Sequence, residues 1–272
     1  MERLMKIDRR IIYLIAAALV ILTLFVPLGL PVKISDMTRG AYSAIENLPD
    51  GSLVFIAPMY DPGARGELDP MFVAMLHQCA KRGYKMLIGN TSWTLGVQML
   101  HPIVTDILGD YGYTYGEDYI ELGSKPGGSI WMQQATNDLV TACITDYNNQ
   151  PLAQFPIISQ VPKLAAEYVD AILVLDCGTP GAREWLTYVS TPTGIPLVVG
   201  VIQMSVPEHT PFLDSGQYKG LIGGSRGAAE YELLVGKPGK AVKSQDTMSV
   251  IALMVTLFII LGNIGYLTSR KK

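Results

Sequence analysis

The chain has 272 residues, 49% hydrophobic and 17% charged, with a net charge of −3 and a mean hydropathy of +0.27. This balance provides no basic face for a phosphate backbone, so nucleic acid is excluded as an expected partner. The three cysteines, Cys79, Cys143 and Cys177, lack CxxC or Cys/His spacing, which excludes a zinc framework and leaves three buried thiols as the simplest expectation.

The apolar excess sits at the two ends. Residues 11–30, IIYLIAAALVILTLFVPLGL, carry no charge, and neither do residues 247–267, TMSVIALMVTLFIILGNIGYL. A helix rises about 1.5 Å per residue, so roughly 20 residues cross a ~30 Å hydrocarbon core. Both runs are expected to span a bilayer. The first is long for a cleaved signal peptide, and Pro27, Gly29 and Pro31 follow it without an A-x-A pattern. Arg3, Lys6, Arg9 and Arg10 precede it, which places residues 1–10 in the cytoplasm, residues 31–246 outside, and the tail 268–272 back in the cytoplasm of a cell membrane. Lys237, Lys240 and Lys243, ahead of the second run, oppose that orientation. Ala16, Ala17 and Ala18 in the first run and Gly262 and Gly265 in the second permit close helix approach. Asn263 is best placed at a helix interface.

Between these runs, strand-like and helix-like patterns alternate. A short helix follows Ser35 or Asp36 as its cap. SLVFIA (52–57) is a continuous apolar run of the kind buried on both faces of a sheet. The next helix is expected from Pro70 to Arg82, with Asp69 as cap and Gly83 as its end. YKMLIGN (84–90) reads as a strand and the segment from Leu95 to Gly112 as a helix containing Pro102. DYIELG (118–123) is a weaker strand, and 127–144 a third helix. Residues 146–163 hold three prolines and little periodicity. DAILVLD (170–176) and IPLVVGVI (195–202) supply further strands, and residues 216–239, opening GQYKGLIGGSRG, read as a short strand, a glycine-rich turn and a helix. Alternation of apolar strands with helices predicts an α/β fold: a mostly parallel Rossmann-like sheet with helices on both faces, flanked by N- and C-terminal transmembrane helices.

In such sheets ligands bind beyond the carboxyl ends of the strands. The loop after the first strand carries Asp61, Arg65 and Glu67. These residues suit a cation or anion site, or a local turn and helix start. GSKPGG, with Lys125, Gly127 and Gly128, and GGSRG, with Gly223, Gly224, Ser225 and Arg226, resemble anion cradles without completing a P-loop or a G-x-G-x-x-G motif. Asp176 and Cys177 end the clearest strand. Cys177 is a weak candidate nucleophile and His209 its weak candidate base, with Glu208 or Asp176 as orienter, although no G-x-[SC]-x-G elbow is present. No metal or cofactor is expected. Tyr111, Tyr113, Tyr115 and Tyr119 could line a binding surface or an oligomer contact, and the alternation at 111, 113 and 115 more simply suggests one side of an extended, partly buried segment.

With those residues in view, the chain resembles a family of uncharacterised two-span bacterial and archaeal membrane proteins with a Rossmann-like domain. The likeness rests on IAPMYDPGARGELDPM, YGEDYIELGSKPGG and SGQYKGLIGGSRGAAEYELLVGKPG, the last followed closely by the final apolar run. Pro58 and Met59 stand where that family carries an additional aspartate. The resemblance implies the fold and the anchoring, and it transfers no catalytic residue. The expected role is binding or assembly at a membrane, as a scaffold or complex subunit. The expected partners are the lipid bilayer, copies of the chain or other membrane subunits, and a small anionic ligand. The alternative is a membrane-anchored hydrolase or transferase acting on such an anion.

Overall fold

The computed structural model describes residues 9–25 and 29–269; the expected cytoplasmic residues 1–8, Pro27 and the tail residues 270–272 lie outside the described residues. Six strands, β1 (Leu53–Met59), β2 (Lys85–Thr91), β3 (Tyr119–Lys125), β4 (Ala171–Asp176), β5 (Leu197–Val201) and β6 (Tyr218–Gly223), form one parallel sheet. Their order is β3-β2-β1-β4-β5-β6, the doubly wound Rossmann arrangement.

Alternate residues of β1 feed two cores. Val54 and Ile56 pack with α2 (Asp36–Glu46), α3 (Arg65–Lys81), α4 (Thr94–Asp110) and α11 (Gly224–Val235). Leu53, Phe55, Ala57 and Met59 pack on the other face with α5 (Ser129–Asn137), α6 (Leu139–Cys143), α7 (Pro156–Ser159) and α8 (Ala182–Trp185). The short α9 (Thr191–Thr193) precedes β5, and α10 (Val206–Asp214) precedes β6. Burial on both faces explains why the strands read as unbroken apolar runs.

Two helix boundaries differ from expectation. Asp61, not Asp69, caps the entry after β1: its Oδ1 accepts from Gly63 N at 2.9 Å and closes a 3₁₀ turn over Pro62–Ala64. α3 then begins at Arg65. Asp69 lies inside it, buried, accepting from Tyr60 Oη at 3.0 Å and Arg65 Nε at 2.8 Å. Pro70 lies inside α3, past its first turn, where its missing N–H removes one i→i−4 bond. The helix expected over 127–144 breaks at Asp138, which turns extended (φ −155°) and caps α6 by accepting from Thr141 N at 3.0 Å.

At the ends, α1 (Arg9–Phe25) packs along α12 (Lys240–Ser269). The expected first span, 11–30, is shorter as a helix: α1 has 17 residues, and residues 29–35 are not helical. Among the described residues one helix segment, Lys240–Ile264, is long and apolar enough to cross a membrane, and Ile12–Thr23 is a shorter apolar helix.

Three buried carboxylates join these ends to the domain. Glu232 on α11 accepts from Gly239 N (2.8 Å), Ala241 N (3.1 Å) and Val242 N (2.9 Å), capping α12. Glu230 accepts from Ser35 N at 2.9 Å and Ser35 Oγ at 2.6 Å, and Ser35 caps α2. Asp246 accepts from Gly29 N at 3.0 Å and Leu30 N at 3.1 Å.

Glycine sets one close approach. A Cβ on Gly220 would overlap the backbone of Ala41, so only glycine lets α2 lie on β6. Gly220→Ala is expected to destabilise the chain by about 1–3 kcal/mol through overpacking, read as a lowered midpoint of denaturant unfolding in detergent. An unchanged midpoint would refute this role.

Candidate functional site

The predicted ligand loops all lie at the carboxyl edge of the sheet, but they do not meet. β3 and β6 are its two outer strands, five spacings of about 4.8 Å apart, so GSKPGG and GGSRG are separated by roughly 24 Å. Three separate arrangements result.

The central one lies at the switch point between β1 and β4. Ser92, left-handed at φ 72°, turns the chain after β2 so that Trp93 reaches across the end of β1. The Trp93 indole N–H donates to Pro180 O at 2.7 Å, and its ring lies over Gly178. Asn90 Nδ2 donates to Pro58 O at 2.6 Å and Trp93 O at 3.0 Å, fixing this bridge from below. Trp93 therefore covers the crevice where a Rossmann ligand usually lies.

Beside it, Asp176 is buried. Its carboxylate accepts from Gly178 N at 2.7 Å and Ala182 N at 2.8 Å. His209 Nε2 stands 3.6 Å from the same carboxylate, and Nδ1 is 3.1 Å from Tyr218 Oη. Burial raises the Asp176 pKa and lowers that of His209. The expected Cys177–His209 pair is not formed, because both imidazole nitrogens face Asp176 and Tyr218. Glu208, the alternative orienter, pairs instead with Arg183 at 2.6 Å. Cys177 is half-buried, donates its N–H to Met59 O at 3.3 Å, and has its thiol pKa raised by burial. The cleft over Asp176 and His209 is small, about 60 Å³.

At the β6 side, Gly223 and Gly224 serve packing. A Cβ on Gly224 (φ 57°) would run into Gln203, and one on Gly223 into Val206. Ser225 is half-buried, while Arg226 is exposed and pairs with Glu230 at 3.1 Å. Glu67 reaches over from α3 to accept from Gln203 N at 2.7 Å, and Arg65 is held by Asp69. Between the starts of α2 and α11 lies a cleft of about 290 Å³, lined by Ser35, Thr38, Gln203, Val206 and Arg226. It has more room than the cleft over Asp176, and the guanidinium at its mouth is paired with Glu230, which also lines it.

At the β3 side, Lys125 Nζ donates to Thr145 O at 2.7 Å, and burial lowers its pKa. Gly127 (φ 116°) and Gly128 (φ 56°) form the turn into α5, and Gly128 N donates to Thr91 Oγ1 at 2.9 Å. Next to them is a polar cluster that the sequence pattern does not disclose. Glu121, buried in β3, lies 2.8 Å from His101 Nδ1. His101 stacks on Tyr147 at 4.4 Å. Asp146, also buried, accepts from Tyr115 Oη at 2.7 Å and Gln150 N at 2.7 Å. The one signal in the sequence is an acid in the middle of an otherwise apolar strand, YIELG. Burial raises the Glu121 pKa to about 7 against the pull of His101.

Among the described residues no group of three His, Cys, Asp or Glu side chains is gathered to hold a metal ion. The edge thus offers hydrogen-bonding and charged groups in three places, with the candidate nucleophile and base apart.

Two measurements probe this chemistry. Glu121 holds its proton up to about pH 7 when folded and to about 4.5 when unfolded, so stability falls as pH rises between those values. The loss is on the order of 3 kcal/mol. Glu121→Gln removes the group that titrates, so denaturant unfolding at pH 5 and pH 8 should differ less in the variant than in the parent. Equal differences would contradict the assignment. Burial pushes the thiols of Cys79 and Cys143 to about 12 and raises that of Cys177 less far. Iodoacetamide at neutral pH should therefore label Cys177 alone, and more slowly than a free cysteine. Faster labelling would restore Cys177 as an activated nucleophile.

No family model matches the chain, and no curated protein matches it. Among solved structures it is similar to the homocysteine methyltransferase MmuM from Escherichia coli in its apo form, with 12% identity and a TM-score of 0.25, over 71% of this chain and 99% of that one. At that score the likeness carries no functional conclusion.

Proposed function

We propose that the chain is a membrane-anchored α/β domain with a binding or assembly role, mounted on the bilayer by α1 and α12. The observation that carries this is the change of character along α12. Ala241 and Val242 are buried in the core of the domain, Asp246 and Thr247 are buried one to two turns on, and beyond them Leu253, Leu257, Ile260 and Leu267 are all exposed. A continuous helix that is core at one end and exposed apolar surface at the other fits a membrane anchor better than it fits water. α1 lies alongside it, so the two helices enter together. The basic residues ahead of the first apolar run, Arg3, Lys6, Arg9 and Arg10, favour an N-terminus in the cytoplasm and the domain outside.

The assembly role draws on the same helices. Gly262 has open space around it and Asn263 is exposed, leaving that side of α12 for a further copy or another membrane subunit. A small anion is a candidate ligand of the cleft beside Arg226. The full chain is expected in the membrane pellet after an alkaline carbonate wash. In gentle detergent it is expected to run at a protein mass above its own 29.6 kDa, with copies of itself or other subunits. Release by carbonate would remove the anchoring, and a lone monomer would remove the assembly role.

A further inference from the structure

The direction of α12 determines which edge of the sheet faces the bilayer. Each strand runs towards the carboxyl edge, and α11 runs back from it, starting at Gly224 and ending at Val235. The short turn at Gly236 and the Glu232 cap on residues 239–242 fold α12 antiparallel against α11. α12 therefore runs with the strands and leaves past their carboxyl ends. From Gly224 to Glu232 is eight residues, so about eight residues of α12 beyond its cap, at ~1.5 Å each, bring it level with that edge near Ser249. Thr247 is the last buried residue of α12 among the described ones, and the apolar exposed stretch follows. The entering chain agrees: residues 29–35 are held by Asp246 and Glu230 close to the same edge.

A second observation, independent of the first, concerns exposed apolar side chains. A single exposed leucine means little; their distribution is informative. Outside α1 and α12, the exposed large apolar side chains among the described residues are Leu30, Leu95, Ile130, Ile144, Met204 and Leu233. Four of these sit on carboxyl-edge segments: Leu95 in the first turn of α4, Ile130 in the first turn of α5, Met204 directly after β5, and Ile144 beside the Lys125–Thr145 bond at the end of β3. They are also the most exposed of the six, at 60%, 73%, 83% and 71% respectively. Ile144 is moreover left-handed at φ 50°, a conformation that a β-branched residue rarely adopts.

We infer that the carboxyl edge of the sheet lies against the surface of the bilayer that α12 enters, with Leu95, Ile130, Ile144 and Met204 reaching into its interfacial layer. This rests on the membrane anchoring proposed above. The occupant is lipid of the same leaflet, because the edge is continuous with the point where α12 leaves the domain. The cleft beside Arg226, and a second of about 180 Å³ lined by Lys125, Asp146 and Tyr147, then open towards lipid headgroups, so a ligand of either would arrive along the membrane surface. Lys237 and Lys240, at the turn between α11 and α12, stand at the opposite edge, away from the bilayer.

The full chain, in a Cys177→Ala background, can carry single cysteines labelled with nitrobenzoxadiazole and be reconstituted into phosphatidylcholine vesicles containing spin-labelled lipid. Reporters at Leu95→Cys, Ile130→Cys, Ile144→Cys and Met204→Cys should be quenched several-fold more than one at Leu233→Cys, near the far end of α11. Leu253→Cys on α12 reports the anchoring itself. If Leu253→Cys is quenched and the four edge sites match Leu233→Cys, the inference fails while the anchoring stands. If Leu253→Cys is not quenched, the anchoring fails and takes the inference with it. Edge reporters shielded from water but untouched by lipid quencher would point to a protein covering the edge and would also overturn the inference.

Discussion

Three buried carboxylates, Glu230, Glu232 and Asp246, hold the two chain ends to one another and to the sheet. Each accepts two or more hydrogen bonds from N–H groups, or from a hydroxyl, that would otherwise be left unpaired where one segment ends and the next begins. A buried carboxylate is tolerated because it is saturated by such donors. Two of the three sit on α11, a helix that itself packs on α3 and lies close to α2. The apolar helices are thereby joined to the rigid part of the fold, and any load on α1 or α12 passes directly into the layer that covers β1 and β6.

That attachment has consequences for the edge where ligands are expected. In many doubly wound sheets the crevice at the switch point is open. Here Trp93 closes it by bonding to Pro180 across the end of β1, held by the Asn90 side chain. The remaining room lies to either side, in the β6 cleft bounded by the start of α2 and in the β3 cleft beside Lys125. The first is built partly from the segment that links α1 to the domain, so its shape depends on the Ser35–Glu230 bond. Under the proposed anchoring, ligand access and membrane attachment share the same few residues.

Much of the architecture was legible in the residues. The first five runs assigned to the sheet are strands shifted by no more than two residues at either end, and β6 lies inside the sixth stretch, because strands buried on both faces carry a signal that polar loops do not dilute. The helix caps were less legible. Asp69 and Asp61 are both plausible caps by type, and only the contact of Asp69 with Tyr60 and Arg65 draws it into the helix. The site was hardly legible. Asp61, Arg65 and Arg226 make local bonds, Glu67 and Lys125 bond across to Gln203 and Thr145, and what their loops share is an edge, not a pocket. The His101–Glu121 pair joins residues twenty positions apart on α4 and β3, a proximity created by strand order and helix docking.

Local sequence by itself determined the element types, their order and the apolar ends, since these follow from periodicity, run length and turn residues within a few positions. Tertiary structure alone decided which loops are neighbours, because strand order 3-2-1-4-5-6 sends the two glycine-rich turns to opposite ends of the carboxyl edge. It alone decided that His209 turns to Asp176 and Tyr218 instead of Cys177. It also set the direction of α12 relative to the strands, through a turn at Gly236 and a cap from Glu232, and so determined which edge of the sheet lies on the side from which the apolar helix departs.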